Sequence, residues 1–236
     1  MNTQQEKQHT LRPDLPPLPI NMRTLPIDAR GYPVPFFVAW VNGVPEFRCA
    51  DPRKMERARL FSLCWVCGKP LGKRLVAFAV GPMCAVNRIS SEPPSHPECA
   101  EFSARACPFM TKPQMVRRED NLPGGMVAEE CRRKVAGTMI DRNPGATLIW
   151  LTRRWEVLAE PKGYLWQMGH CERALWFAKG RAATREEVLE SITSGLPILR
   201  SYAEIDGEEA VREMETSVEQ AMRLVPKPAH PRREFA

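Results

Sequence analysis

The sequence predicts an α+β fold, and three observations carry that prediction. Short apolar blocks alternate with stretches whose apolar residues recur at three- and four-residue spacing, so strands and helices both occur. Turn-forming segments, Asn42-Gly43 and Pro161-Lys162-Gly163, separate β-type runs by hairpin-length gaps. Two pairs of metal-ligand side chains, Cys64-x-x-Cys67 and His96-x-x-Cys99, stand 28 residues apart. Each pair can grip one side of an ion, and the spacer lets the second close a tetrahedron from the other side.

The elements follow in order. Residues 1–21 are polar and then proline-rich, too stiff and too poor in apolar side chains to pack, and are expected to form a disordered arm. Residues 36–41 and 44–48 flank Asn42-Gly43 as a hairpin. Asp51-Pro52 opens a helix in which Arg53, Lys54, Arg57 and Arg59 share the surface with Met55, Ala58, Leu60 and Phe61, delivering the chain to Cys64. Gly68 directly after Cys67 suits a knuckle turn. Residues 74–80 read as a buried strand ending at Gly81-Pro82. Ser95-His96-Pro97-Glu98 has the form of a capping box, with Ser95 as N-cap of a helix reaching about Cys107, where Pro108 stops it. Knuckle, short hairpin, then helix N-terminus is the order of a treble-clef-like module.

That module spans 22–118. Residues 119–125, containing Pro123-Gly124-Gly125, read as a linker, 126–225 as a C-terminal α+β unit, and 226–236 as a tail. In the second unit, residues 126–140 look helical, 146–151 read as a buried strand, and 155–159 with 164–168 as a hairpin. Thr184-Arg185-Glu186-Glu187 is a capping box for a helix through Ile192, with Gly195 as its stop. Asp206-Gly207 opens an acidic last helix whose Val211, Met214, Val218, Ala221 and Val225 form one apolar stripe, either core or a partner-docking face.

Four protein donors fill a tetrahedron and leave no position for water, so Cys64, Cys67, His96 and Cys99 point to one structural Zn2+ per chain. Cys84 is the alternate to His96 in a four-thiolate site, and Cys107 reads as core. Cys49, Cys131 and Cys171 stand alone and are expected to pack. The polar residues 1–10 carry no apolar leader, so the thiols are expected to be reduced and the chain cytoplasmic. No run approaches the eighteen or so apolar residues of a membrane span, so no membrane partner is expected.

The formal net charge is +6, and residues 22–118 hold fifteen Lys and Arg against seven Asp and Glu. A zinc with three thiolates and a neutral imidazole subtracts only one unit from that half. A basic module of this kind meets phosphate or an acidic protein surface.

Enzymatic readings lose ground on the residues. A histidine-metal nuclease on this scaffold needs a histidine between the ligand pairs, and residues 68–95 contain none. A zinc nucleobase deaminase needs its Pro-Cys-x-x-Cys downstream of His-x-Glu, whereas here the cysteine pair lies upstream and Cys99 would fill the open position. His-Glu-x-x-His of zinc proteases is absent. His170-Cys171 would point to opposite faces of a strand and lacks an orienting third group. No catalytic residue is assigned. Trp150, Arg153, Arg154, Trp155 and Trp166 could form a stacking surface for single-stranded nucleic acid, against the alternative that the tryptophans are core.

Residues 31–40, Cys64-Trp65-Val66-Cys67-Gly68, Gly81-Pro82-Met83-Cys84, residues 92–96 and Cys107-Pro108-Phe109 together resemble proteins of bacterial genomes and their mobile elements. The resemblance implies at most an accessory role. The expected function is therefore nucleic-acid binding by the basic face of the zinc module, through Arg53, Lys54, Arg57, Lys69, Lys73 and Arg74. The alternative is a protein-interaction adaptor in which zinc only holds the scaffold and the C-terminal helix or the proline-rich arm docks a partner.

Overall fold

A computed structural model describes residues 9–113, 115–116, 144–161 and 163–228, and shows a mixed α+β protein. After a short 3-10 turn, Ile20–Met22, the first hairpin pairs β1 (Val38–Val41) with β2 (Val44–Ala50). Its turn residues, Asn42 and Gly43, both take positive φ, as a two-residue connection of this twist demands. Next come α1 (Pro52–Phe61), β3 (Val76–Val80), α2 (Pro82–Asn87), β4 (Ile89–Ser90), α3 (Pro97–Ala106) and α4 (Pro108–Thr111). The remaining strands are β5 (Thr147–Thr152), β6 (Trp155–Glu160), β7 (Gly163–Met168), β8 (Arg173–Ala178) and β9 (Arg181–Ala182). They are followed by α5 (Arg185–Asp206) and α6 (Glu208–Met222).

Three antiparallel sheets result: β1-β2, β3-β5-β8-β9 and β4-β7-β6. The four-stranded sheet is covered on both faces, which is why β5 is buried at every position. Its Leu148 and Trp150 join Val76, Phe78, Val80 and Trp176 in the main core with the knuckle cysteines. Its Ile149 and Leu151 meet Ala77, Phe177 and the α3 residues Ala100 and Ala104 on the other face. Period-two alternation along β3 thus sends valine and phenylalanine one way and alanine the other. The small alanines let α3 lie close to the sheet, and this seats the N-terminus of α3 beside the knuckle.

Several expectations are revised. Strands on the two sides of the expected linker share sheets, β3 with β5 and β4 with β7. The linker and the expected helix at 126–140 lie outside the described residues. Within the expected arm, Leu15 and Leu18 pack on the main core, and the Arg12 amide donates to the Gly31 carbonyl. β3 and β4 do not pair with each other, so no hairpin sits between the ligand pairs. The isolated bridge Ala77↔Ser95 and the Trp65 amide donating to the Pro94 carbonyl close that loop instead. Ser95 spends its backbone on that bridge and does not cap α3; His96 occupies the N-cap position without a side-chain cap, and Glu98 instead accepts from Asn21.

The helix opened by Thr184 does have its full capping box, but it runs through Gly195 and Pro197 to Asp206. Gly195 is there for space rather than for a stop, because a Cβ would come within 2.9 Å of Met83 on α2. Cys49, expected as a lone packing thiol, is buried and disulfide-bonded, which corrects the expectation that all thiols are reduced. Among the described residues no helix is long and apolar enough to cross a membrane.

Candidate metal centre

The knuckle begins where α1 ends. Ser62 turns left-handed at φ 47°, donating its amide to the Ala58 carbonyl, and this releases the chain into the loop. Leu63 bridges to Pro70, the Leu71 amide donates to the Ser62 carbonyl, and the Cys64 amide donates to the Lys69 carbonyl, so the loop closes on itself. Inside it the Gly68 amide donates to the Cys64 carbonyl at 2.8 Å, and Gly68 sits at φ +72°. Only glycine fits there, since a Cβ would stand 2.6 Å from Cδ2 of Phe36.

The second ligand pair is brought up by backbone. The Trp65 amide donates to the Pro94 carbonyl, and Ala77 and Ser95 exchange both of their hydrogen bonds at 2.8 Å. The Trp65 ring, buried and stacked 5.1 Å from Phe37, fills the space behind the loop.

The result is a cluster of Cys64, Cys67, His96 and Cys99 whose donor atoms all lie within 4.8 Å of one another. Nδ1 of His96 is 3.3 Å from Sγ of Cys67 and 3.9 Å from Sγ of Cys99. Metal–ligand bonds of ordinary zinc length in a tetrahedron separate sulfur from nitrogen by about 3.5 Å and sulfur from sulfur by about 3.8 Å, so the donor set fits one such ion. The histidine is aimed. Its Nε2 lies 3.0 Å from the Pro70 carbonyl, which can only accept, so Nε2 carries the proton and Nδ1 turns its lone pair to the thiols. Amides of Cys67 and His96 both point at Sγ of Cys64, at 3.4 and 3.3 Å, the pattern that stabilises a thiolate.

Electrostatics agree. Burial opposes charge on Cys64, yet hydrogen bonds from Cys67, Cys99 and His96 outweigh it and hold that thiol far below its ordinary range. The Cys64 side chain in turn pushes Cys67 up to about 11 and Cys99 higher still, because three thiolates cannot share this volume without a cation. The protonated His96 is favoured by Cys64, against the opposing effect of burial. A divalent ion resolves that conflict, and this chain could hold one there. Cys84 lies exposed on α2 and outside the cluster, so the fourth donor is His96. Cys107 is half-buried at the end of α3, also outside it.

The expected phosphate contacts divide. Arg53 and Arg57 are exposed on α1, Arg53 beside Asp51 and Arg57 over the Phe36 ring at 5.8 Å. Lys73 and Arg74 are exposed on the loop after Leu71, while Lys69 is half-buried. Lys54 is committed elsewhere: its Nζ donates to the Val38 carbonyl at 2.6 Å, and burial lowers its pKa. Sequence reading missed Phe36 and the Pro70 carbonyl, which fix the knuckle and the imidazole. A proline three residues past Cys67, with no amide to occupy the ladder and a free carbonyl, was the available signal.

Compared with known protein families, curated proteins and solved structures, the chain matches none.

Proposed function

We propose that this is a zinc-binding accessory protein that binds nucleic acid through the basic face of a treble-clef-like module. One structural Zn2+ on Cys64, Cys67, His96 and Cys99 would hold the face in shape. The observation that carries the reading is the placement of exposed cations on both segments flanking the Cys64/Cys67 knuckle of the metal cluster, Arg53 and Arg57 before it and Lys73 and Arg74 after it. Phe36 links them to the knuckle, since it lies against Gly68 on one side and under Arg57 on the other. The ligand layout, a knuckle pair and a helix N-terminal pair, supports the treble-clef-like description even without a hairpin between them. Lys54 falls out of the contact set and Lys69 is secondary.

The adaptor alternative has less behind it. The acidic helix α6 packs against α2 and α5, with Ala221 and Val225 of its stripe buried and Val211, Met214 and Val218 half-buried, which leaves less of that stripe for a partner. The test is fluorescence anisotropy of zinc-loaded protein with single-stranded DNA, duplex DNA and RNA at two salt concentrations, beside a Lys73→Ala/Arg74→Ala variant. Binding should weaken as salt rises, and the variant should flatten the dependence of log affinity on log salt by about 1.5 to 2. No binding at low salt would end this reading.

A further inference from the structure

The Arg-Trp run singled out in the sequence is split by the fold. Trp150 and Trp166 are buried in the core. Arg153, Arg154 and Trp155 instead join Arg88, Glu156 and Gln167 around an open cleft of about 520 Å³ at the end of the β4-β7-β6 sheet, none of whose lining residues is a metal-cluster ligand. Its walls are tied together by hydrogen bonds. Thr152 Oγ1 donates to the Arg154 carbonyl at 3.0 Å and accepts from the Arg154 amide at 3.3 Å, and the Gly169 amide donates to that same carbonyl at 2.9 Å. The Gly169 carbonyl accepts from the buried Trp150 indole. A side chain at Gly169 would strike the Arg154 carbonyl, so the residue must be glycine for the turn to seat. Across the cleft Arg88 turns left-handed at φ 55°, and its Nη2 donates to the Met168 carbonyl while its own carbonyl accepts from the Met168 amide.

The charge in this cleft is not neutralised. Arg154 has no ion-pair partner among the described residues. Arg153 faces Glu172 at 3.5 Å with both side chains largely in solvent, a pair too screened to hold it. Three arginines against one carboxylate among the lining residues bias the cleft toward anions, and guanidinium forks suit phosphate. Two features take the ligand beyond a bare anion. The opening, about 520 Å³ and largely exposed to solvent, well exceeds one phosphate group. Trp155, half-buried and packed on the core, lines the cleft beside the arginines. Glu156 and Gln167, direct cross-strand partners on β6 and β7, lie on the sheet face opposite Trp155 and are not assigned to the base.

We infer that this cleft binds a nucleoside phosphate, with the phosphate on Arg88, Arg153 and Arg154 and the base against Trp155, either as a free nucleotide or as one unit of a single strand. The inference stands on the cleft and not on the zinc-module face, and the experiment separates the two. Full-length zinc-loaded protein is titrated with thymidine 5′-monophosphate by calorimetry and with a fluorescein-labelled twelve-nucleotide oligothymidylate by anisotropy. The proteins compared are the parent, Arg153→Ala/Arg154→Ala, Arg154→Glu and Lys73→Ala/Arg74→Ala. These four arginine and lysine positions are exposed, so equal melting temperatures are expected and verify folding.

Both cleft variants should weaken binding by about tenfold or more at low salt. Competing inorganic phosphate should displace the ligand only at concentrations about tenfold or more above those at which the nucleotide does. Cleft-dependent binding of the monophosphate identifies a free nucleotide as sufficient, and cleft-dependent binding of the oligomer alone identifies the strand. Parent-like affinity for both probes in both cleft variants overturns the inference, as does no measurable binding of either probe. Equal displacement by phosphate overturns the nucleoside part. If the cleft variants bind as the parent does and only Lys73→Ala/Arg74→Ala loses the oligomer, the cleft is refuted and the zinc-module reading stands. The converse pattern refutes the zinc-module reading and supports the cleft.

Discussion

Gly68 and Gly72 form a matched pair for asking whether the knuckle is packed against its surroundings or merely turned. Both take positive φ, +72° and +63°, so alanine at either meets the same backbone penalty of about 1 kcal/mol. Their surroundings differ. A Cβ at Gly72 meets nothing within 4 Å, whereas at Gly68 it would stand 2.6 Å from Cδ2 and 2.8 Å from Cγ of Phe36. Phe36 has little room to yield, since its amide donates to the Val66 carbonyl at 2.7 Å and its ring lies under Arg57. Overpacking of that kind adds about 1 to 3 kcal/mol.

Gly72→Ala should therefore cost about 1 kcal/mol and Gly68→Ala about 2 to 4. For a chain of this length that is a fall in Tm of about 2–4 °C for the first and about 4–16 °C for the second. Because Gly68 directly follows Cys67 and its amide closes the turn onto the Cys64 carbonyl, zinc affinity should fall with the clash. Competition against a chromophoric chelator should show Gly72→Ala close to the parent and Gly68→Ala weaker by about tenfold or more, a factor that corresponds to about 1.4 kcal/mol. Equal losses of Tm and zinc affinity in the two variants would refute the argument that Phe36 braces the knuckle.

Protein purified without added metal should carry about one zinc per chain by elemental analysis. Cys67→Ser or Cys99→Ser should reduce that to a small fraction, and a chelator should lower the parent's Tm markedly and the variants' little; absence of zinc in the parent would remove the metal assignment. Glu187 is held down to about 2 from an ordinary 4.5 by Arg181 first, then by the Thr184 amide and Lys179, against the opposing effect of burial. A depressed carboxyl stabilises above its unfolded pKa and loses that contribution as pH falls, here between about 4.5 and 2. Its exposed partners reduce the effect to about 1–2 kcal/mol, and Glu187→Gln should flatten the stability–pH profile in that window; an acid limb unchanged in the variant would show that another group dominates it. Ser191 Oγ, buried, donates to the Pro144 carbonyl at 2.6 Å and accepts from the Ala146 amide at 3.2 Å, so Ser191→Ala should cost about 1–3 kcal/mol in denaturant unfolding; a loss below about 0.5 kcal/mol would mean that solvent reaches those groups.

The parts of this fold that could be read in the sequence are those fixed by neighbours along the chain. Asn42-Gly43 dictates its hairpin through the φ each residue tolerates, and Thr184 with Glu187 dictates a helix start through two reciprocal hydrogen bonds. The metal quartet belongs to the same class, because ligand pairs two residues apart need only one local bend each. What escaped was set by distant partners. Nothing near Ser95 says that its backbone will pair with Ala77 in place of capping α3, and nothing near Gly195 says that Met83 will press on it. The same holds for β3 and β5, whose pairing crosses the segment that looked like a linker. A glycine-rich gap marks where backbone can bend. It does not say whether the flanking strands will meet again.

The metal cluster and the basic loop beside it are one construction. The carbonyl of Lys69 accepts from the Cys64 amide, and the carbonyl of Pro70 accepts from Nε2 of His96. Leu71 is buried and its amide donates to the Ser62 carbonyl. Three consecutive residues at the root of the loop that carries Lys73 and Arg74 are thus tied to metal-ligand residues or to the end of α1. Ordering a loop from one end costs less conformational entropy for every residue already fixed, so the cations nearest the site are the ones whose positions a bound metal would most constrain. His96 is the link between the two: one ring nitrogen faces the thiols and the other holds Pro70. A thiolate in its place could complete the tetrahedron, but it would leave the Pro70 carbonyl without that donor. The geometry therefore gives a reason for histidine rather than a fourth cysteine that concerns the loop more than the ion.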